Sequence, residues 1–410
     1  MSGKFNLFKK LTNDAKKQVV KNTVDNASTS EKRLSFKDLL NLGDETRITE
    51  YINEEMERLT STEAGKSIKH KILTSFGEKC HVIGMYDTAL KYFNEAKEIA
   101  EEKGDIQTLG QIYRKLGNNY VKMGKSDIAK EYFTNGLEYA KKLDDFLGIA
   151  EAYIGMGHSY WRTSELDKAI ESFNKGIEYA TKVNNRNLIG RVNIELGNVY
   201  NHMGKIETSK EYYLKAINIL KDLNNHVELS RAYNNLGDVN MSMEKWDEAI
   251  EYFKESIESS ERAQSLNMKA WAMFNTAECY AKMKDIENAK AYNEKAFYLL
   301  KSANDKVGIS AVYRNKAYIF SLEKNYKEAE DYFRKSIDIL EEANVPFELG
   351  YVYYEYAIAM HDMGDDAKAR QLLDKASSIF EEINSESMLE KISVLSKKLS
   401  DTPATTDSDE

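Results

Sequence analysis

Proline is almost missing from this chain, with 2 in 410 residues. Because proline removes a backbone donor and breaks helix interiors, so small a number leaves long helices free to form throughout. Cysteine is equally scarce, with Cys80 and Cys279 alone. The repeat spacing described below sets them five units apart, beyond the roughly 7 Å Cα separation that a disulfide tolerates. Both are therefore expected reduced and packed, in an intracellular, cytoplasmic protein. No apolar run approaches the roughly 20 residues of a membrane span, and the N-terminus lacks a signal peptide's uninterrupted apolar core. A basic stripe is also absent: the formal charge is −9, which argues against nucleic acid as a partner. The histidines His81, His158, His202 and His361 are scattered without metal-ligand spacing. Glycine-rich phosphate loops, nucleophile elbows and paired-cysteine clusters do not occur. These gaps lead us to expect no metal, no cofactor and no catalysis.

What the chain has is a box, Leu196-Gly197-Asn198-Val199-Tyr200, that returns every 40 residues. Its small residue, here called the anchor, reads Gly77, Gly117, Gly157, Gly197, Gly237, Ala277, Ala317 and Ala357, with no insertion or deletion. Such regularity marks an array of repeats. Twelve residues after each anchor stands Ala89, Ala129, Ala169, Ser209, Ala249, Ala289, Ala329 or Ala369, where two helices could approach closely. Sixteen after it comes Phe93, Phe133, Phe173, Tyr213, Phe253, Asn293, Phe333 or Leu373. Asp105, Asp145, Asn185, Asn225, Ser265 and Asp305 precede the next anchor by twelve and suit N-caps of a first helix. Gly84, Gly124, Gly204 and Gly364 follow an anchor by seven, where a left-handed residue would end that helix.

This pattern resembles the tetratricopeptide repeat, whose unit is a pair of antiparallel helices and whose usual period is about 34 residues. The 40-residue variety is similar to the groove-forming arrays of Pins-type spindle-orientation adaptors and of bacterial Rap-type peptide-sensing regulators. The resemblance implies an all-α fold, a right-handed α-α superhelical solenoid of about eight helix pairs with helical caps. It also implies a non-catalytic scaffold that binds a peptide segment of a partner protein in its concave groove. A Rap-type regulator reshaped by a small peptide is the alternative, and an enzyme with a site in the groove the third reading.

Around the eight repeats, residues 61–384, the flanks read differently. Residues 1–34 hold Lys4, Lys9, Lys10, Lys16, Lys17 and Lys21 against Asp14, with Phe5, Phe8, Leu11, Ala15 and Val19 at helical spacing. A frayed tail accounts for this composition. Residues 4–24 could alternatively dock on a partner, on the groove, or weakly on an anionic membrane surface. Ser35 offers an N-cap and Gly43 a turn within a degenerate helical cap over residues 35–60. Residues 385–400 continue the pattern as a capping helix with Met388, Ile392, Leu395 and Leu399 on one side, and the acidic tail 401–410 reads as disordered.

Helical phase at 100° per residue separates two faces of each first helix. Tyr113, Leu116 and Tyr120 and their equivalents should pack on second helices. Residues six before, three before, one after and four after the anchor should line the groove. In copies two to five these include Gln111, Arg114, Asn118, Glu151, His158, Trp161, Arg191, Asn198, Asn201, Arg231, Asn234 and Asp238. Arginine forks and asparagine amides suit the amides and carboxylates of an extended peptide. Copies six to eight turn aromatic, with Trp271, Phe274, Glu278, Arg314, Tyr318, Tyr351, Tyr354, Ile358 and His361, and the rings are expected to anchor apolar side chains.

Overall fold

A computed structural model describes residues 45–401, all of whose regular elements are helices. They fall into two units. The first holds α1 (Glu45–Thr60), α2 (Glu63–Ser67), α3 (Lys69–Val82), α4 (Tyr86–Lys103), α5 (Ile106–Lys122), α6 (Ser126–Lys142), α7 (Phe146–Arg162), α8 (Leu166–Lys182) and α9 (Arg186–His202). The second holds α10 (Ile206–Asp222), α11 (His226–Ser242), α12 (Trp246–Arg262), α13 (Leu266–Lys282), α14 (Ile286–Ser302), α15 (Lys306–Leu322), α16 (Tyr326–Ala343), α17 (Pro346–Met363), α18 (Asp366–Glu382) and α19 (Glu386–Asp401). The expected basic segment 1–34, the Ser35 cap, Gly43 and the tail from residue 402 lie outside the described residues.

The backbone reveals a shorter period than the sequence box does. A left-handed residue recurs at intervals of 20 from Gly84 (φ 89°) to Asn384 (φ 54°). Glycine occupies five of these places, and asparagine, aspartate or a charged residue most others. Within the two units, the following amide reaches back across these turns, as Met85 N to Cys80 O at 2.9 Å and Lys125 N to Tyr120 O at 2.9 Å. That bond closes the orphan carbonyls of the helix end. Both joints of the repeat are thus one tight turn, which sends each helix back along its predecessor. The next helix then starts on a side-chain cap at five of the six expected first-helix positions: Asp105, Asp145, Asn185, Asn225 and Asp305 accept the amides of Thr108, Gly148, Leu188, Glu228 and Gly308. Ser265 is the exception and makes no cap bond. Its backbone is extended (φ −103°, ψ 96°), as at Asp305 (φ −88°, ψ 90°), so the backbone does not account for the missing bond.

Close packing explains the small residues. All eight residues twelve after an anchor are fully buried. At Gly77, Gly117, Gly157 and Gly237 an added Cβ would stand 2.6, 2.7, 2.7 and 2.5 Å from the ring of the Phe sixteen residues on. A methyl there cannot fit without displacing a fully buried ring. Where the anchor is Ala277, the ring is gone and Asn293 takes its place. Its Oδ1 accepts from Asn315 Nδ2 at 3.1 Å and its Nδ2 donates to Val312 O at 3.2 Å, so the buried amide is satisfied. Serines do the same between α11 and α12, where Ser256 Oγ donates to Ser230 O at 2.8 Å.

Within each unit, successive helices pack on one another, and first helices also touch first helices of the next copy, as α5 on α7 and α13 on α15. That second contact creates a face made only of first helices. The first copy departs from the pattern. Its first helix is split at Ile68 (φ −111°, ψ 18°) into α2 and α3. Beside the break, Asp105 holds His70 Nε2 at 2.9 Å and Lys71 at 3.4 Å. Burial opposes charge on Asp105, but the amide and hydroxyl of Thr108, His70 and Lys71 hold its carboxyl far below the usual range. At the other end, Met388, Ile392, Leu395 and Leu399 of α19 are buried, and α19 packs on α18 and α17.

Candidate functional site

The phase reading of the first helices matches the packing. Tyr113 and Tyr120 stack on Tyr139 and Tyr132 of α6, with centroids 5.5 and 5.2 Å apart, while Leu116 is fully buried. The opposite, first-helix face carries the polar and aromatic residues.

In the first unit these residues are spread out. Asn118, Arg191 and Asn201 are exposed, and His158, Trp161 and Asn198 half-buried. His158 sits edge-on to Phe173 at 5.2 Å, Trp161 Nε1 points to His202 Nδ1 at 3.4 Å, and Asn198 donates to Glu195 at 3.2 Å. Arg114 is a correction to the expected open fork. It is buried, with Nε on Glu151 at 3.1 Å, Nη1 on Gly110 O at 3.1 Å and Nη2 3.6 Å from Asp145. Gly136 and Gly148 leave the room in which this side chain folds down, since a Cβ at either would stand 2.8 Å from Arg114; its arms are taken up by its own helix and by acids of the next repeat.

The second unit brings its residues together. Arg231 Nη1 donates to Glu228 at 3.0 Å. Asn234 Nδ2 donates to Asp238 Oδ2 at 3.0 Å, and Asn275 Nδ2 donates to Asp238 Oδ1 at 3.0 Å and Asn234 Oδ1 at 3.2 Å. Further along, Arg314 is buried between two acids, 2.9 Å from Glu355 and 3.5 Å from Glu278. Burial works against its charge, but Glu355 and Glu278 outweigh it and keep the guanidinium firmly protonated. Its plane lies over Tyr351 at 4.8 Å and Phe274 at 5.8 Å. This second fork is therefore also closed, because truncating either acid would strand a buried charge. Phe274, expected as an open anchor, is 4 % exposed and sits edge-on under Trp271 at 5.7 Å. Half-buried rings remain at Trp271, Tyr318, Tyr351 and Tyr354. Trp271 Nε1 is held by Asp305 at 3.1 Å, and Lys282 lies 4.1 Å over Tyr318. The charge of Glu355, then burial, pushes the Tyr351 hydroxyl above its ordinary range.

Sequence reasoning missed Asn275, Lys282 and Glu355. The signal was available: two residues before the anchor the chain reads Glu195, Asn235, Asn275, Asn315, Glu355, an unbroken polar run. Asn275 and Glu355 each meet, 41 residues back, the groove residues Asn234 and Arg314. Among the described residues no group of three or more His, Cys, Asp or Glu side chains could hold a metal ion. Cys80 and Cys279 are buried and free, their thiols pushed up by burial to about 11 and about 12. No helix of the described residues is long and apolar enough to cross a membrane.

Comparison with known proteins places this architecture. Residues 188–262, 268–342 and 308–382 match one family described as Tetratricopeptide repeat, and residues 110–143 and 150–182 another with the same description. Residues 35–118 match the family described as Anaphase-promoting complex subunit 5. Curated proteins give no match. Among solved structures, the apo quorum sensor NprR from B. thuringiensis is 15% identical with a TM-score of 0.62, over 84% of this chain and 96% of that one. Aspartyl phosphate phosphatase F from Bacillus subtilis is 15% identical with a TM-score of 0.61, over 87% and 96%. A Rap protein complexed with Competence and Sporulation Factor is 14% identical with a TM-score of 0.52, over 82% and 99%. At these identities the likeness is one of fold. The repeat matches span more than half of the sequence and coincide with helix pairs of the described structure, so the chain belongs to the tetratricopeptide repeat family.

Proposed function

We propose that this protein is a non-catalytic scaffold that binds a peptide segment of a partner protein on the face formed by its first helices. The observation that supports this most strongly is the patch on α13, α15 and α17. Trp271, Tyr318, Tyr351 and Tyr354 keep part of their rings exposed beside charged side chains. Helix pairing alone does not call for such residues there, and half-buried aromatic rings are the usual anchors of an interface. In this reading residues 61–384 are the eight repeats, and residues 35–60 and 385–400 shield their ends. A peptide-responsive regulator is the second reading. It draws on the fold shared with a quorum sensor and with a Rap protein solved in complex with Competence and Sporulation Factor.

The test is co-purification from the native cell with the wild-type chain, with Trp271→Ala/Tyr354→Ala, and with Tyr298→Ala on the outward side of α14. The double variant is expected to lose at least one partner that the control retains, with its helical circular dichroism unchanged. Identical partner profiles for all three would remove this face from the reading.

A further inference from the structure

The charges on the second unit's first-helix face do not balance. Arg231 is paired with Glu228 one turn away on its own helix; the other acids are Asp238, Glu278 and Glu355, and the other two cations both converge on Glu355, Arg314 at 2.9 Å and Lys282 at 3.8 Å. Glu278 keeps only the 3.5 Å contact to Arg314. Asp238 is held by the amides of Asn234 and Asn275, with no cation in ion-pair range among the described residues. Amides fix the position of a carboxylate without neutralising it. Burial, and then the charge of Glu278, push the Asp238 carboxyl up to about 7, as expected where negative charge lacks a counter-ion. One turn from Glu278 on the same helix, Phe274 and Trp271 form an aromatic wall.

Resting on the peptide-binding reading above, we propose that this face docks a segment of a partner protein that carries a lysine or arginine next to an apolar residue. The cation settles between Asp238 and Glu278, and the apolar side chain lies against the rings of Trp271, Tyr351 and Tyr354. The argument is charge complementarity. In the second unit Arg231 and Arg314 are paired with acids of the protein, whereas Asp238 on α11 meets only amides and Glu278 on α13 shares Arg314 with Glu355. A cation placed there gains two opposite charges and an aromatic neighbour at once.

The probe is a library of random linear peptides displayed on phage and selected on the immobilised full-length chain. Individual peptides are then measured against wild type, Asp238→Asn, Glu278→Gln and Trp271→Ala/Tyr354→Ala, each checked by circular dichroism. Selected peptides are expected to share a lysine or arginine beside an aliphatic or aromatic residue. Their affinity should fall tenfold or more on Asp238→Asn and on Glu278→Gln. Replacing the peptide cation by norleucine or citrulline should cost the same on wild type and little more on the variants. Acidic peptides, or basic peptides indifferent to both carboxylate variants, would overturn this inference while leaving peptide binding intact. Peptides indifferent to Trp271→Ala/Tyr354→Ala as well, or no selection at all, would overturn both.

Discussion

A buried asparagine among phenylalanines is the residue that separates packing rule from exception. In most copies the residue sixteen after the anchor is an aromatic ring, which a glycine anchor receives in four copies and Ala317 admits in the seventh, where Phe333 is fully buried. Asn293 breaks this rule together with Ala277, and Asn315 supplies the partner that makes the break tolerable. Asn293→Leu alone should cost about 1–3 kcal/mol, because it strands the Asn315 amide. Asn293→Leu with Asn315→Ala should cost clearly less than the two single changes summed. Denaturant unfolding of the four proteins checks this, and strict additivity would deny the pairing. The sequence displayed the departure at Asn293 but not its partner, which lies in the following first helix rather than in the same repeat. Turn residues were half legible for a similar reason. Glycine announces a left-handed turn, whereas Lys284 (φ 62°) and Glu244 (φ 59°) adopt one silently because the uniform register requires it. Lys284→Gly should therefore stabilise the protein by about 0.5–1 kcal/mol, read as a rise in thermal midpoint; a fall would mean that the Lys284 side chain contributes more than its strained backbone costs.

At the scale of helices, periodicity told almost everything that packing decides and little that pairing decides. A 40-residue box located the first helices, their caps and the buried small positions, because each depends on residues a few places apart. The identity of the polar contacts between copies depends on residues 37 and 41 places apart, such as Arg114 with Glu151 and Arg314 with Glu355. Reading each copy separately made Arg114 and Arg314 look like open forks. The terminal helix makes a direct prediction. Leu372, Leu373 and Phe380 are buried in the cluster that α19 completes, so removing residues 386–410 should expose apolar surface and drive association. Light scattering is expected to show a concentration-dependent mass increase and calorimetry a lower midpoint. A truncated chain that stays monomeric and equally stable would mean that α18 already ends the array.

For the molecule as a whole, the central claim is that a partner meets the first-helix face rather than the outward helices. Composition bears on this little, since net charge, scarce cysteine and missing motifs indicate no ligand. The fold narrows it further, because first helices touch one another within each unit, and in the second unit their face is lined by half-buried rings, by Asp238 without a cation, and by Glu278, which shares Arg314 with Glu355. The most direct measurement places a photo-crosslinking phenylalanine analogue at Tyr318, on the first-helix face, or at Tyr298, which is 63% exposed on α14. Both proteins are expressed in the native cell, irradiated and analysed by mass spectrometry. We predict a discrete crosslinked partner at Tyr318, lost on adding Trp271→Ala/Tyr354→Ala, and none at Tyr298. A partner captured at Tyr298 and absent at Tyr318 would contradict the account.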